Sequence, residues 1–287
     1  MPTIRETFLP DEGCVFVRCD LSQVEDRVCK MYCRTQRMIE LANRKPWEYD
    51  AHTDNAALIF KKAHALITKD ERYLGKRTTH ASQRGMRGER LSENISKDTN
   101  GELFVHPKQC DKLIDSYLDA MWEIRDIYFP WVRKNVRDCG VLETSWGRRL
   151  DLRFRRIDDD LYREAYSFYM QAEAADWTNQ YLFIPMYHYM QQVYKKSTTA
   201  QVHDEVIVSV PWLYSYETAA IMVKRAEQKR EIPKGSNNYL VVPADITVGK
   251  NWGDSRFEFK RLPTKKEYEE LTYVLYEETL LGKGSCK

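Results

Sequence analysis

The chain has 287 residues, of which 43% are hydrophobic and 31% charged, and its formal net charge is +2 at pH 7. This composition is typical of a globular protein and excludes a disordered or fibrous chain. No stretch approaches the roughly 18 uninterrupted apolar residues of a membrane helix, and the N-terminal MPTIRETFLPDEG lacks the apolar run of a signal peptide. We therefore expect a cytoplasmic protein with no membrane partner.

The first half of the chain is predicted to be one strand followed by helices. Residues 14–19, CVFVRC, form a buried strand that ends at Asp20. Apolar residues at helical spacing predict a single helix in 21–44, where Ser22 and Glu25 have the spacing of an N-terminal capping box. Further helices are predicted in 50–67, 70–92 and 106–139, the last kinked near Pro130 and ended by Gly140.

The second half mixes strands with helices. The predicted elements are strands 141–146 and 148–154 around Gly147, a helix 159–194 kinked at Pro185, a hairpin 200–211, a helix 215–230 and a strand 239–252. The order of the predicted elements, which is a strand, a long helical insertion and then mixed strands and helices, predicts an α+β fold. Its antiparallel sheet, flanked by helices, is interrupted by a mainly helical module.

The seven cysteines do not form a metal-binding pattern. They include no CxxC pair, and no His-x-x-x-His spacing accompanies them. Isolated cysteines in such a chain favour reduced, mostly buried thiols over a zinc site. The cysteines are Cys14, Cys19, Cys29, Cys33, Cys110, Cys139 and Cys286.

The predicted hairpin AQVHDEVIVSVP (200–211) has an unusual tip. Tight hairpin turns favour Asn-Gly or Asp-Gly, but this tip presents His203, Asp204 and Glu205. Asp20 ends the first strand, and two carboxylates on adjacent strands can share two hard cations about 3.5–4 Å apart, as in in-line phosphoryl displacement. The spacing does not show that Asp20 and Asp204 meet, and the alternative is an ordinary turn acid and a strand-end cap.

Two stretches are rich in lysine and arginine. Residues 76–90 carry five Lys or Arg against one Glu, and residues 146–156 carry five Arg against one Asp. These runs indicate either a phosphate-containing partner or a solvated basic surface.

Five segments resemble, in the same order, the motifs of family A, polymerase I-type, DNA polymerases. The palm motifs that carry the acids are similar to DLSQVEDR (20–27) and QVHDE (201–205). The other three resemblances are ETSWGRR (143–149) to Glu-Thr-x-x-Gly-Arg-Arg, REAYSFYMQAEAAD (163–176) to Arg-x-Ala-x-Asn-x-x-x-Gln-Gly-Thr-Ala-Ala-Asp, and VGKNWGD (248–254) to the closing Val-Gly-x-x-Trp. The resemblance implies the C-terminal part of such an enzyme, with a palm in 1–30 and 141–287 and helical fingers in 31–140.

The resemblance implies catalytic roles for the palm acids. Asp20, Asp204 and Glu205 would be the catalytic residues. Two Mg²⁺ ions would be held by Asp20, Asp204 and the carbonyl of Leu21. His203 and Glu205 would line the primer terminus.

The resemblance also assigns residues to the substrates. Glu25 would exclude the ribose 2′-hydroxyl of the incoming nucleotide, besides any capping role. The other implied dNTP contacts are Gln23, Lys76, His80 and Arg84, and the implied primer–template contacts are Arg148, Arg163, Gln171 and His203. Contacts to phosphate, sugar and minor groove suit an enzyme that accepts every sequence.

The fingers depart from the family pattern Arg-x-x-x-Lys-x-x-x-Phe/Tyr-Gly-x-x-Tyr-Gly. When the sequence is aligned to this pattern on Gly85, the family's Arg, Lys, Phe/Tyr and second Tyr correspond to Lys76, His80, Arg84 and Gly88. An ordinary histidine is largely neutral at pH 7, and a guanidinium stacks on a base less well than a ring. Gly88 leaves no side chain where the family has a tyrosine.

The palm helix departs from the pattern as well. Ser167, Tyr169 and the pair Ala172-Glu173 differ from the family residues. Glu173 would bring negative charge towards the nucleic acid unless it points away.

The sequence therefore predicts a DNA-directed DNA polymerase that extends a primer 3′ end with dNTPs in DNA replication. Met1 lies only 19 residues before Asp20, where the family has a thumb. We therefore expect a second chain that carries the thumb, with or without an exonuclease domain, as in a split phage-type polymerase acting in the host cytoplasm. The alternative is a catalytically weak or inactive polymerase-like subunit that binds DNA. Glu25 argues against a related RNA polymerase.

Overall fold

The computed structural model describes residues 4–48, 50–196 and 198–281. The chain divides into two compact units. Unit 1 consists of Met1–Val24, Ala174–Lys229 and Val241–Lys287, and unit 2 consists of Glu25–Glu173 and Arg230–Leu240. Cys286 lies outside the described residues.

Unit 1 contains a five-stranded antiparallel sheet made of β1 Cys14–Leu21, β4 Ala200–Val202, β5 Glu205–Pro211, β8 Ala244–Gly249 and β9 Phe257–Phe259. The strand order is β4-β5-β1-β8-β9. The central strand β1 is buried at every position except Asp20, which is half-buried. This burial explains why its sequence is a nearly continuous run of apolar residues.

Unit 1 also contains the helices α9 Ile184–Tyr194, α10 Ser215–Ala226 and α11 Lys265–Leu281, of which α10 and α11 pack on the sheet. Helix α10 packs on β1 and β8, and the buried Trp177 indole Nε1 donates a hydrogen bond to the Ala226 carbonyl over 2.8 Å. The predicted α+β class with an antiparallel sheet and flanking helices is confirmed.

Unit 2 is mainly helical. Its elements, with α8 running on into unit 1, are α1 Val24–Cys33, α2 Gln36–Asn43, α3 Ala51–Phe60, α4 Lys69–Gln83, α5 Gly88–Asp98, α6 Pro107–Ala120, α7 Phe129–Asp138, β2 Val141–Glu143, β3 Arg149–Asp151 and α8 Asp159–Trp177. Strands β6 Lys229–Glu231 and β7 Tyr239–Val241 form a separate two-stranded sheet. One apolar core joins α4, α5 and α6 through Ala81, Leu91, Ile95, Cys110 and Ile114.

All four helices predicted in the first half are interrupted: 50–67 ends as an α-helix at Phe60, before the left-handed Lys61, 106–139 is divided after Ala120, and the other two are each two helices. The predicted helix 21–44 is broken where Arg34 takes a φ of +62° and Thr35 caps α2 through a bond from the Met38 amide. The predicted helix 70–92 is broken at Gly85, whose φ of +66° is left-handed. A left-handed residue ends helical hydrogen bonding, so apolar periodicity that runs across it does not produce one helix.

Other helix and strand boundaries differ from the predicted ones by smaller amounts. Helix α1 begins at Val24, so the N-cap position belongs to Gln23, with a φ of +56°, and not to Ser22. The predicted strand 239–252 is interrupted at Pro243, because proline cannot donate to a sheet ladder. The predicted disturbances near Pro130 and Pro185 coincide with π-helical turns just before each proline.

The described cysteines are all free, and all except Cys139 are buried. Within the described part of the chain, no helix is both long and apolar enough to cross a membrane.

Gly88 marks a close approach between α5 and α6. Its amide donates to the Asp111 carboxylate over 2.7 Å. A Cβ at this position would stand 2.3 Å from the Pro107 carbonyl oxygen and 2.6 Å from the Asp111 amide nitrogen. The glycine is therefore required by packing within unit 2.

We predict that Gly88→Ala lowers the free energy of unfolding by about 1–3 kcal/mol, because backbone atoms of α6 occupy the space of the added methyl group. Intrinsic helix propensity alone would favour alanine by about 1 kcal/mol. Urea denaturation followed by circular dichroism measures the change. The exposed neighbour Glu89→Ala is the control, and a Gly88→Ala protein as stable as the parent would contradict the close approach.

Candidate active site

The hairpin tip lies against the end of β1 in unit 1. Asp20 pairs directly with Glu205 in the antiparallel register, and the Leu21 amide donates to the Asp204 carbonyl over 3.3 Å. His203, at the turn, is exposed and has a φ of +54°, a conformation that histidine adopts more readily than most residues. The fold therefore brings together Asp20, Leu21, His203, Asp204 and Glu205.

Asp20 experiences an excess of negative charge. Burial raises its pKa to about 8, and Asp204, Asp245 and Glu205 add to the rise, whereas Lys260 opposes it. A carboxyl group in such surroundings takes up a cation or a proton readily.

The donor set suits Mg²⁺. Magnesium ions prefer carboxylate oxygens, are held by only one or two of them, and keep waters and substrate phosphates as their other ligands. Asp20 and Asp204 supply carboxylates, and Leu21 could add a carbonyl oxygen. No group of three or more His, Cys, Asp or Glu side chains within residues 4–48, 50–196 and 198–281 has the arrangement of a complete metal site. An open pair of carboxylates, completed by water and substrate oxygens, is the arrangement that Asp20 and Asp204 would offer to Mg²⁺.

Glu205 is held by the segment after β8. Its Oε1 accepts a hydrogen bond from the Trp252 indole over 3.0 Å, and its Oε2 lies 3.7 Å from the Arg18 guanidinium. Arg18 is only 8% exposed and donates to the carbonyls of Trp252 and Asp254 over 2.8 and 3.0 Å. The tryptophan of VGKNWGD thus orients the carboxylate beside Asp20.

A further acid near Asp20 was missed by the sequence reasoning. Asp245 on β8 pairs with Asp20 in the register, opposite to Glu205, and is buried. Its Oδ2 accepts a hydrogen bond from the Lys260 ammonium over 2.7 Å. The available signal was a charged residue inside the apolar strand ADITVG, since buried acids in a strand interior need a partner.

In unit 2, Glu25 is paired with Arg84. The Glu25 Oε2 accepts from the Arg84 Nη2 over 2.5 Å, and both side chains are about one quarter exposed. The neighbouring residues Gln83 and Asp26 are also in contact. Gln83 Nε2 donates to Asp26 Oδ1 over 2.6 Å, and the buried Lys30 pairs with Asp26. Two consecutive contacts therefore fasten the end of α4 to the start of α1.

His80 lies one turn before Arg84 on α4. Burial lowers its pKa to about 4, although Glu25 favours its charged form. Its ring centroid is 6.3 Å from that of His52, whose pKa burial also lowers to about 4. Lys76, on the same helix, is exposed. At pH 7 His80 therefore adds no positive charge to this part of α4.

The turn between β2 and β3 carries Arg148 and is supported from inside unit 2. Glu173 is fully buried, and its Oε1 accepts from the Ser145 amide and the Tyr32 hydroxyl, each over 2.6 Å. The Arg230 guanidinium lies 3.3 Å from the centre of the Trp146 ring. Glu173 thus faces the protein interior, which answers the concern that it would face nucleic acid.

The remaining predicted contacts lie on the surface of their units. Arg148 and Gln171 are exposed, and Arg163 pairs with Asp160 in the first turns of α8. Gln23 is half-buried in the left-handed residue before α1. Within unit 2, Glu25, His80 and Arg84 are therefore close together, whereas Arg148, Arg163 and Gln171 belong to its outer surface.

A family profile and two related proteins all indicate the same family for this chain. The sequence profile of DNA polymerase family A matches residues 1–254. The chain is 24% identical over 261 residues to the thermostable DNA polymerase I of Thermus filiformis, covering 88% of this chain and 29% of that protein. It is 25% identical over 259 residues to DNA polymerase I of Borreliella burgdorferi, covering 88% of this chain and 26% of that protein.

A solved structure has the same fold. The POL domain of Pol1 from M. smegmatis, in complex with DNA primer-template and dNTP, matches with a TM-score of 0.70 and 19% identity over 88% of this chain and 43% of that chain. The present chain spans less than a third of the length of the two relatives named above.

We predict that stability falls as the pH drops from about 6.5 to about 4 because of His52 and His80. Both are held neutral in the folded chain with a pKa of about 4, while the unfolded chain binds their protons near pH 6.5. The unfolded state therefore gains protons first, and each histidine costs on the order of 1 kcal/mol of stability at pH 5.

Urea denaturation at several pH values measures this effect. The variant His52→Gln/His80→Gln should show a flatter dependence between pH 7 and pH 5, and the variant of the exposed His188→Gln should match the parent. Equal slopes in the parent and the double variant would contradict the burial of these imidazoles.

Proposed function

Because this chain belongs to DNA polymerase family A and corresponds to its C-terminal part, we propose that it is a DNA-directed DNA polymerase. It would add dNTPs to the 3′ end of a primer paired with a template, in DNA replication. The observation that carries the proposal is the position of the Asp204 turn against the end of β1 beside Asp20. A cytoplasmic location remains the expectation for this activity.

We propose that Asp20, Asp204 and the Leu21 carbonyl hold two Mg²⁺ ions. When bound, these ions would activate the primer 3′ hydroxyl and stabilise the leaving pyrophosphate. The strands would contribute precision, because ligands on paired strands are fixed more firmly than ligands on loops. Glu205, fixed by Trp252 and Arg18, would keep a set orientation beside the primer terminus together with His203.

Discrimination between deoxyribonucleotides and ribonucleotides would depend on Glu25. Its carboxylate is held by Arg84 at one defined place, so a nucleotide bound there would meet a fixed group and not a mobile one. The dNTP would also contact Gln23, Lys76, His80 and Arg84. Neutral His80 could donate a hydrogen bond to a phosphate, and Lys76 and Arg84 would supply the charge.

The primer–template would contact Arg148, Arg163, Gln171 and His203. The first three belong to the surface of unit 2, and Arg148 is on a turn fixed by the buried Glu173. The assignment of residues 1–30 and 141–287 to a palm and of 31–140 to fingers is part of this proposal. A second chain would supply the thumb, with or without an exonuclease domain.

A second candidate function is a polymerase-like subunit that binds DNA but turns over poorly. It is favoured by the ion pair between Arg84 and Glu25, since a guanidinium engaged with a carboxylate is less available to a triphosphate.

We predict that the purified chain extends a primer with Mg²⁺ and the four dNTPs, and that Asp204→Asn abolishes extension by removing a metal ligand. Gel-resolved primer extension is the measurement, with a thumb-bearing partner added if the chain alone does not extend. Asp119→Asn, at an exposed acid of unit 2, is the matched control and should extend normally.

The outcomes separate the two functions. A folded Asp204→Asn chain that still extends would exclude the metal role. A parent chain that binds primer–template but never extends, even with the partner, would support the binding subunit.

We predict that Glu25→Ala lowers the preference for dNTPs over rNTPs by about 10- to 100-fold, because the carboxylate that disfavours a 2′-hydroxyl is gone. Single-nucleotide incorporation with matched dNTP and rNTP measures the ratio. Glu40→Ala, at an exposed glutamate of α2, is the control. An unchanged ratio in a folded Glu25→Ala chain would assign Glu25 to the support of α4 alone.

A further inference from the structure

Three acidic residues form a row across the middle of the sheet. Glu205 on β5 pairs with Asp20 on β1, and Asp20 pairs with Asp245 on β8. Residues directly opposite on neighbouring antiparallel strands point to the same face, with Cβ atoms roughly 4.5–5.5 Å apart. Like charges in such positions repel, so the row needs compensation from cations.

The two ends of the row have such compensation. Glu205 is paired with Arg18 and the Trp252 indole. Asp245 is paired with Lys260, whose ammonium lies 2.7 Å from Asp245 and 2.7 Å from Glu258. Asp20, in the centre, is the position where an external cation would complete the balance of charge.

The sheet register explains how Lys260 reaches Asp245. Strands β8 and β9 pair Val248 with Phe257 and Ile246 with Phe259. One further residue along this register places Lys260 opposite Asp245, so the row continues with a positive charge. Lys260 follows residue 254, where the match to the family ends. The compensating cation is therefore supplied by a segment beyond the family match.

We propose that Lys260 is a positioning residue for the candidate metal site. Its ammonium neutralises the charge of Asp245. Divalent cations are then held by Asp20 and Asp204 and are not attracted to the Asp245 carboxylate. Without Lys260, the buried Asp245 would lose the cation that is paired with its Oδ2, and its carboxylate would compete more strongly for the same ions. This inference rests on the proposed metal-dependent function.

The test compares binding of Mn²⁺ with primer extension in Lys260→Met. Mn²⁺ binding is followed by electron paramagnetic resonance of the chain with the metal alone. We expect Lys260→Met to bind Mn²⁺ at least as tightly as the parent, because one more carboxylate becomes available. We expect its extension at saturating Mg²⁺ to be about 10-fold slower, because the ions are misplaced. A merely structural role would weaken both properties together.

A second set of variants isolates the contact with Asp245. Lys260→Met/Asp245→Asn removes both charges and should return extension to near the parent rate, and Lys260→Arg should retain it. Lys265→Met is the matched control, since Lys265 is 51% exposed against 52% for Lys260 and is paired with Glu217. Urea midpoints establish that each variant is folded.

The outcomes distinguish this inference from the proposed function. Parent-like extension by Lys260→Met, or slow extension that Asp245→Asn does not rescue, would overturn the role of Lys260 and leave the polymerase proposal standing. A parent chain that neither binds Mn²⁺ nor extends, even with a thumb-bearing partner, would overturn both.

Discussion

The antiparallel pairing of β1 with β5 on one side and β8 on the other is the constraint on which unit 1 depends. Because side chains alternate along a strand, a shift of one residue in either pairing would turn Asp20 away from Glu205 or Asp245. Burial supports the register: apart from Asp20, every residue of β1 is buried, so a slipped strand would move Arg18 and Asp20 onto the opposite face and break the packing of its apolar side chains. The position of the acids is thus a consequence of the hydrophobic pattern around them. It does not require attraction between the acids, which repel one another.

This arrangement concentrates negative charge where burial makes it costly. Arg18, itself nearly buried, contacts Glu205 and two backbone carbonyls, while Lys260 contacts Asp245 and Glu258. Arg18 is already held in place by a carboxylate and two carbonyl groups, so it compensates charge with less further ordering than the half-exposed Lys260. The sheet therefore carries its own counter-ions at the two ends of the row. Burial first, and then its acidic neighbours, raise the pKa of Asp20 at the centre of the row, where no such counter-ion pairs directly with the carboxylate among the described contacts.

Much of the sheet and little of the local helix geometry could be predicted from the sequence. The strand before Asp20 and the hairpin at 200–211 were predictable, because alternating or continuous β-branched runs bounded by polar residues have few other solutions. The breaks at Arg34 and Gly85 were not, since apolar periodicity continues across them and only the backbone shows the left-handed residue. The acids of QVHDE were identified from their motif. Asp245 and Lys260 were not, because their importance depends on which strands are neighbours in the sheet, and this is decided by contacts between residues distant in the chain.

The atypical residues of unit 2 are best understood as a set of mutually fitting substitutions. Gly88 is not a vacant aromatic position, because the backbone of α6 occupies the space beside it. Arg84 does not project freely from α4, because it pairs with Glu25, while the adjacent Gln83 binds the buried Asp26. Glu173 is satisfied on one oxygen by Tyr32 and the Ser145 amide, so its charge supports a turn from within. Gly88, Arg84 and Glu173 thus each have a partner inside the same unit. Because these three departures from the family pattern make contacts within unit 2, they are part of how this unit packs.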